Sequence, residues 1–99
     1  MKPLPVVFLP AARDDIDSAF LYYQRQQAGL GFRFSSAVRE QVKRIQDSPE
    51  IYGVVYQDVR AACMRRFPYV VYYRIDPAKI VVIAVQHGSR DWSHWLSRG

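Results

Sequence analysis

The hydrophobic period of the chain changes once, near Pro49, and this change limits the folds open to the sequence. Before Pro49, apolar residues recur at intervals of three and four, which is typical of amphipathic helices. After Pro49, short runs of β-branched and aromatic residues are separated by turn signals, which is typical of strands. This segregation of helices from strands predicts an α+β fold. The length of 99 residues predicts a single domain covering residues 1–99.

The predicted order of elements is β-α-α-β-β-β. Val6 to Leu9 predicts a first strand, Pro10 suits the first turn of a helix, and Gly29 can end that helix in a left-handed conformation. A second helix is predicted over residues 32–47, and residues 54–56 begin an extended region. Strands are then predicted over residues 61–67, 69–75 and 80–86. We expect a helical hairpin packed on a mainly antiparallel, twisted sheet.

The last predicted strand is apolar on both of its faces, whereas a strand of an antiparallel sheet covered on one side should alternate with polar residues. One face carries Ile80, Val82 and Ala84, and the other carries Val81, Ile83 and Val85. Either a loop or the C-terminal tail of the same chain, or a partner chain, can cover the second face. Trp92, Trp95 and Leu96 follow at helical spacing, and they predict a short terminal helix that serves as a lid on the core or as a docking surface.

The formal net charge of +5, from 14 Lys and Arg against 9 Asp and Glu, favours a polyanionic partner: nucleic acid, a nucleoprotein or an acidic protein. Simple solubility is the alternative explanation. Arg65 and Arg66 are predicted on one strand, so their side chains should point to opposite faces. The candidate residues for binding a target or an inhibitor are Arg60, Arg65, Arg66, Arg74, His87, Arg90, Trp92 and Trp95.

Other chemistry finds little support in the sequence. The single cysteine, Cys63, excludes an internal disulfide, and its small and apolar neighbours predict a buried, inert thiol. His87 and His94 are too few for a metal site, and we expect neither a metal nor a cofactor. Prolines interrupt the apolar N-terminal run, and no stretch is long enough to span a membrane. We therefore expect a cytoplasmic protein.

Several strings, taken together and in order, resemble the RelE/ParE toxins of type II toxin–antitoxin systems from Leu9 to about Trp95. They are Gly29-Leu30-Gly31 followed by Phe34, Ile45 to Pro49, Val59-Arg60, Arg66 to Arg74, and Val85 to Asp91. Two of them, Phe67-Pro68-Tyr69 and His87-Gly88-Ser89-Arg90-Asp91, are closer to the ParE-like branch. The resemblance covers nearly the whole chain.

The resemblance implies a RelE/ParE-like fold and a toxin that causes growth arrest, stabilises plasmids and forms a hetero-oligomer with a cognate acidic antitoxin. ParE-like members poison DNA gyrase and are not thought to hydrolyse anything. RelE-like members enter the ribosome and cut mRNA. The ParE-like reading is preferred, the mRNA endonuclease is the alternative, and a toxin fold that has lost its toxicity is a third hypothesis.

Cleavage of RNA through a 2′-hydroxyl needs a base, an acid and cations for the developing phosphate charge. His87 is the candidate proton shuttle, oriented by Asp91, and Tyr72 or Tyr73 is a candidate for stacking on a base. The candidate cations are Arg65, Arg66 and Arg90. The alternative for His87 is a structural bond to the following turn. Ribonuclease members typically carry lysines, or an added His or Tyr at the extreme C-terminus, in their working sites. Here Lys is nearly absent from the strand region and the tail ends Trp95-Leu96-Ser97-Arg98-Gly99, so no catalytic residue is assigned.

Overall fold

A computed structural model describes residues 3–98, and within them the α+β prediction is confirmed. The helices are α1 (Pro10–Gln26) and α2 (Leu30–Asp47), followed by a C-terminal 3₁₀ helix (Trp92–Trp95). The strands are β1 (Val6–Phe8), β2 (Val54–Tyr56), β3 (Val59–Cys63), β4 (Tyr69–Ile75) and β5 (Ile80–His87). None of the helices in this part of the chain is long and apolar enough to cross a membrane.

The five strands form one sheet in the order β1-β5-β4-β3-β2. Only the β1–β5 pair is parallel, and the three other pairs are antiparallel, so the expectation of a mainly antiparallel sheet is confirmed. The helical hairpin packs on one face of this sheet. The core between the two layers includes Phe34, Val38, Ile45, Val71, Tyr73, Ile80 and Val82.

The joint between the two helices is tight, and each of its glycines meets a different requirement: Gly29 a left-handed backbone conformation and Gly31 a close approach to α1. Gly29 adopts a φ of 91°, so the left-handed conformation is confirmed, although α1 already ends at Gln26 and Gly29 serves as the N-cap of α2. A Cβ on Gly31 would lie 2.7 Å from the backbone oxygen of Phe20. The side-chain oxygen of Gln24 accepts hydrogen bonds from the backbone N–H groups of both glycines, at 3.1 Å each.

The meander differs from the prediction at β3, which covers Val59–Cys63 rather than residues 61–67. The strand ends early because residues 64–68 form a loop, which is closed by hydrogen bonds from Met64 N–H to the Tyr69 carbonyl (2.9 Å) and from Tyr69 N–H to the Phe67 carbonyl (2.8 Å). The prediction that Arg65 and Arg66 point to opposite faces of a strand is therefore wrong. Both lie in this loop and are exposed.

The remaining strands are close to their predicted positions. β4 coincides with the prediction, and β5 is one residue longer. The extended region at residues 54–56 forms a separate edge strand, β2, paired with β3. The sheet therefore has one strand more than the predicted order.

The two apolar faces of β5 are explained by a bulge and a lid. Tyr72 pairs with Ala84 while Tyr73 pairs with Val82, so Ile83 is an extra residue in β5. The bulge places Ala84 with Ile83 on the second face and returns Val85 to the helical side, which corrects both predicted positions. Trp95 covers the second face, where it forms one buried cluster with Val59, Val70, Tyr72, Ile83 and Ala84. The lid expected from the C-terminal residues is confirmed for Trp95.

The thiol of Cys63 is exposed, so the prediction of a buried cysteine is wrong. Cys63 is the last residue of β3, and its neighbours Ala62 and Met64 are buried in the core beneath the helices. Because successive side chains of an extended chain point to opposite sides, Cys63 is directed away from that core. Its apolar neighbours were a poorer guide to burial than its position in the alternation.

Candidate functional site

One end of the sheet brings together several of the predicted binding residues. The loop of residues 64–68 precedes β4, and a turn of residues 88–91 follows β5. These two segments are joined by a hydrogen bond from Gly88 N–H to the Pro68 carbonyl, at 2.8 Å. We call this region the cationic end and define it by Arg65, Arg66, His87 and Arg90. The three arginines are exposed, and within residues 3–98 none of them forms an ion pair.

An aromatic cluster holds the loop of the cationic end in place. The Phe67 ring lies 4.9 Å from that of Tyr23 and 5.3 Å from that of Phe34, and the Tyr69 ring lies 5.0 Å from that of Phe34. Each such edge-to-face pair contributes about 0.5–1.5 kcal/mol beyond burial. Arg65 and Arg66 are thus attached to a backbone that both helices support.

An open cleft of about 650 Å³ lies between α1 and the ends of β4 and β5. Its walls include Ser18 and Tyr22 of α1, together with Tyr69, His87 and Arg90. Burial raises the pKa of the Tyr69 hydroxyl, and the positive charge of Arg90 acts in the opposite direction. The cleft therefore combines aromatic surface with a guanidinium group, which suits a ligand carrying both apolar groups and negative charge.

His87 is bound to the turn that follows it. Its Nδ1 accepts a hydrogen bond from Ser89 N–H at 3.1 Å, and the Ser89 hydroxyl lies 2.8 Å from the same nitrogen. Because Nδ1 accepts that N–H bond, the proton of the neutral imidazole lies on Nε2. The lone pair that a general base needs is then engaged in a structural contact. The arrangement matches the structural alternative for His87.

Asp91, the residue predicted to orient His87, has a different role in the structure. Asp91 accepts a hydrogen bond from Ser93 N–H at 3.0 Å and caps the 3₁₀ helix, so its predicted orienting role is wrong. Tyr72 and Tyr73 are both buried, which removes them as rings for stacking on a base. The aromatic side chains that line the cleft are instead Tyr22, Tyr23 and Tyr69. Of these, Tyr69 belongs to a family string, whereas nothing local to Tyr22 or Tyr23 marks either residue for a site.

Other predicted contact residues are separated from the cationic end. Arg60 donates hydrogen bonds to the carbonyls of Glu50 (3.0 Å) and Tyr52 (2.7 Å), where it supports the segment before β2. Arg74 lies at the opposite end of β4 and pairs with Asp76 at 3.2 Å.

Of the two tryptophans predicted to bind a partner, the structure describes the side chain of Trp95. Trp95 is 2% exposed, and its ring lies 4.7 Å from that of Tyr72. Its indole therefore stabilises the sheet and presents almost no surface to a partner. The side chain of Trp92 lies outside the described part of the structure.

Sequence reasoning missed a latch between α1, β5 and the C-terminal segment, which we define by Asp15 and Arg98. Arg98 donates to both carboxylate oxygens of Asp15, at 2.6 and 3.2 Å. Asp15 also accepts a hydrogen bond from Val85 N–H (3.0 Å), and Arg98 reaches the Ile83 carbonyl (3.3 Å). Because the three-residue β1 pairs only with the first part of β5, the latch satisfies backbone groups that β1 leaves unpaired.

The described residues contain no group of three or more His, Cys, Asp or Glu side chains arranged to hold a metal ion. The exposed guanidinium groups of the cationic end offer electrostatic attraction and hydrogen bonding, and the adjoining cleft offers aromatic contact. These interactions suit the binding of an acidic or polyanionic partner.

A family model described as the ParE toxin of the type II toxin–antitoxin system parDE matches residues 6–92 of the chain. The chain belongs to the ParE toxin family. The resemblance to RelE/ParE toxins, on the ParE-like side, is thereby confirmed. The chain is the toxin type of a type II toxin–antitoxin system. No curated protein matches it.

Solved structures support the fold of this ParE-family chain. A chain of the chromosomal ParDE toxin–antitoxin system from P. aeruginosa is similar over 85% of this chain and 95% of that one, with a TM-score of 0.76 and 18% identity. A chain of the toxin–antitoxin complex RelBE2 from Mycobacterium tuberculosis is similar over 87% of this chain and 99% of that one, with a TM-score of 0.61 and 20% identity. At these identities the likeness is one of fold.

Proposed function

We propose that this ParE-family chain poisons DNA gyrase without catalysing a reaction, and that an acidic antitoxin neutralises it by direct binding at the cationic end. The observation that carries the proposal is the match to the ParE toxin family over residues 6–92. Several features of the site support it. Three exposed arginines and an aromatic cleft offer binding groups, while the groups that acid–base chemistry would use are engaged in structural contacts.

The antitoxin part of the proposal rests on charge and surface. The chain carries a net charge of +5, and the exposed guanidinium groups of Arg65, Arg66 and Arg90 lie at one end of the sheet. An acidic segment that folds on contact gains charge-assisted hydrogen bonds there and buries apolar surface in the adjoining cleft. Both structural neighbours come from toxin–antitoxin systems, which supports a hetero-oligomeric assembly for this chain as well.

A charge-reversal pair tests this docking surface. Arg66→Glu at the cationic end should weaken binding to the cognate antitoxin by roughly 10–100-fold, because an attractive contact becomes a repulsive one. Lys79→Glu makes the same change in net charge at an exposed site in the turn between β4 and β5. Lys79→Glu should keep the affinity for the antitoxin within about twofold of the wild-type value. Equal losses in the two variants, measured by calorimetry, would mean that only net charge matters and would contradict a localised surface.

The mRNA endonuclease remains the second candidate because His87, Tyr69 and Arg90 line one cleft, where they could meet an RNA backbone. Its test is His87→Ala. If His87 moves a proton, the variant should cut mRNA about 10²–10⁴-fold more slowly. If the protein is a gyrase poison, toxicity should persist and cells should filament with intact transcripts. Codon-positioned mRNA cuts by the wild type would overturn the proposal, and harmless overexpression without any antitoxin would favour a toxin fold that has lost its toxicity.

A further inference from the structure

Three tyrosine hydroxyls meet in the cleft between α1 and the ends of β4 and β5, and we call them the hydroxyl cluster. Tyr22, Tyr23 and Tyr69 all line this cleft. The centroid of the Tyr23 ring lies 5.2 Å from that of Tyr22 and 6.1 Å from that of Tyr69. Burial raises the pKa of Tyr23, and the ionised forms of Tyr69 and Tyr22 raise it further because the three hydroxyls are close to one another.

The fold itself does not use the hydroxyl cluster. Within residues 3–98, none of its three members forms a hydrogen bond with another group of the protein. The hydroxyl of the buried Tyr73, by contrast, donates to the Pro49 carbonyl at 2.6 Å. A tyrosine hydroxyl withdrawn from water usually has such a partner. The hydroxyl cluster is therefore available to a ligand that enters the cleft.

The hydroxyl cluster is a set of hydrogen-bond donors beside one positive charge. Because burial raises the pKa of Tyr23 and Tyr69, both hydroxyls keep their protons at neutral pH. The charge of Arg90 acts on the pKa of Tyr69 in the opposite direction, so its guanidinium lies near that hydroxyl. Arg90 is exposed and forms no ion pair within residues 3–98. Protonated phenols and a guanidinium in one place suit an oxyanion, which accepts charge-assisted hydrogen bonds.

The charge of the cleft suits an oxyanion with a single negative charge. Arg90 is the only Lys or Arg among the described residues that line it, and the carboxylate of Asp15 in the same wall is already held by Arg98. A nucleic acid strand carries a phosphate at every nucleotide and would bring more negative charge than this cleft balances. The tyrosine rings add apolar surface. A carboxylate side chain flanked by an apolar residue is the better match.

We propose that Tyr23, Tyr69 and Arg90 form a carboxylate-binding subsite that holds one Asp or Glu side chain of the antitoxin. The identification of that partner rests on the proposed function. An apolar residue next to the bound carboxylate packs on the tyrosine rings, so the antitoxin is held at a defined position rather than by net charge alone. The hydroxyl of Tyr73 thus supports the fold, whereas those of the hydroxyl cluster serve binding.

Two blocked peptides, leucine–glutamate–leucine and leucine–glutamine–leucine, test the subsite without the antitoxin. In an NMR titration of the isotope-labelled protein, the glutamate peptide should shift the amide signals of Tyr69 and of residues 87–90. It should bind at least about threefold more tightly than the glutamine peptide. Equal binding of the two peptides, shifts confined to other residues, or no binding would overturn the proposal. A stronger response of the same signals to a thymidine dinucleotide would also overturn it and would assign the subsite to a nucleic acid phosphate.

A ring-preserving variant shows whether the hydroxyl makes the contact. Tyr69→Phe removes one hydroxyl and keeps the ring that packs on Phe34. It should weaken binding of the glutamate peptide by at least about threefold and leave that of the glutamine peptide unchanged. Tyr56→Phe removes a hydroxyl from β2, outside the cleft, and should change neither. Equal losses for the two peptides in Tyr69→Phe would contradict a contact with the carboxylate.

Urea unfolding separates a binding role from a structural one. Tyr69→Phe should leave the midpoint of unfolding unchanged or raise it, because no hydrogen bond within the protein is lost. Tyr73→Phe should lower the midpoint because it loses the bond to the Pro49 carbonyl. A fall for Tyr69→Phe as large as that for Tyr73→Phe would mean that the Tyr69 hydroxyl supports the fold, against its assignment to a ligand.

Calorimetry with the cognate antitoxin connects the subsite to its partner. Tyr69→Phe should weaken antitoxin binding by about three- to tenfold, and Tyr56→Phe should keep it within about twofold of the wild-type value. If the two peptides are distinguished but Tyr69→Phe binds the antitoxin as the wild type does, the antitoxin is not the occupant and the proposal fails. If the antitoxin does not bind the wild type, the proposed function fails, and the peptide titration still decides whether the subsite exists.

Discussion

Replacing Asp15, in the second turn of α1, with alanine should destabilise the fold strongly. Its carboxylate is only 12% exposed and receives three hydrogen bonds, two from Arg98 and one from Val85 N–H. The Asp15→Ala change leaves a guanidinium that is 20% exposed without its counter-charge and an amide of β5 without an acceptor. The perturbation therefore removes a partner from two groups that have little access to water.

The expected loss follows from these contacts. Leaving a buried N–H without an acceptor costs about 1–3 kcal/mol. Breaking a fully buried ion pair costs about 3–5 kcal/mol, and partial exposure reduces that figure. We expect Asp15→Ala to lower the free energy of unfolding by about 2–4 kcal/mol. Arg98→Ala should cost about 1–2 kcal/mol, because Asp15 then keeps its bond to Val85 and gains water.

Urea unfolding followed by far-ultraviolet circular dichroism measures both losses. With a slope of about 1–1.5 kcal/mol/M for a domain of this size, the midpoint of Asp15→Ala should fall by roughly 2 M. The neighbouring Asp14 is exposed, and Asp14→Ala should change stability by less than about 0.5 kcal/mol. A loss below about 0.5 kcal/mol for Asp15→Ala, or equal losses at the two aspartates, would refute the structural role of the latch.

Three further changes test the packing of the fold. Trp95→Ala should cost about 3–5 kcal/mol in urea unfolding because it empties the second face of the sheet, whereas the exposed Leu96→Ala should cost under about 1 kcal/mol. Gly31→Ala, whose Cβ would lie 2.7 Å from a backbone oxygen of α1, should lower the melting temperature, and Gly53→Ala, which meets open space, should not. Burial raises the pKa of Tyr73 to about 12, so its contribution to stability is intact below about pH 10 and is lost as the pH rises towards about 12. The alkaline loss of stability should be shallower in Tyr73→Phe, and an unchanged pH profile would contradict this.

The helical hairpin and β4 could be predicted from the sequence because their signals are local. Pro10 at a first helical turn, the left-handed Gly29 and the stripe of Phe34, Val38 and Ile45 each depend on residues within about three turns of one another. β4 is bounded by Pro68 and Asp76, which are both turn signals. These elements therefore lie where local chemistry places them.

The errors arose where structure depends on distant residues or on register. The latch joins Asp15 to Arg98 across 83 positions, and nothing near either residue marks the other. The bulge at Ile83 depends on how β4 and β5 align, and it reverses the facing of Ala84 and Val85. The predicted strand over residues 61–67 ignored the turn formed before Pro68. That error placed Arg65 and Arg66 on a strand rather than in the exposed loop that carries them.

Part of the candidate site could be predicted from the sequence, and the part that could not depends on tertiary contacts. Arg65, Arg66, His87 and Arg90 were identified from residue type and from the family strings, and their placement at one end of the sheet follows from the antiparallel pairing of β4 with its two neighbours. Arg60 and Arg74 were chosen by the same criteria, but tertiary contacts assign them to the support of a loop and to a local ion pair. Charge alone cannot separate these two groups of arginines.

The central proposal, a non-catalytic gyrase poison, is tested most directly by the fraction of DNA that purified gyrase holds in the cleaved state. Adding the wild-type chain to gyrase, ATP and supercoiled plasmid should raise that fraction in proportion to the toxin, and addition of the cognate antitoxin should return it to the basal level. His87→Ala should behave like the wild type. An unchanged cleaved fraction at micromolar toxin would contradict the account.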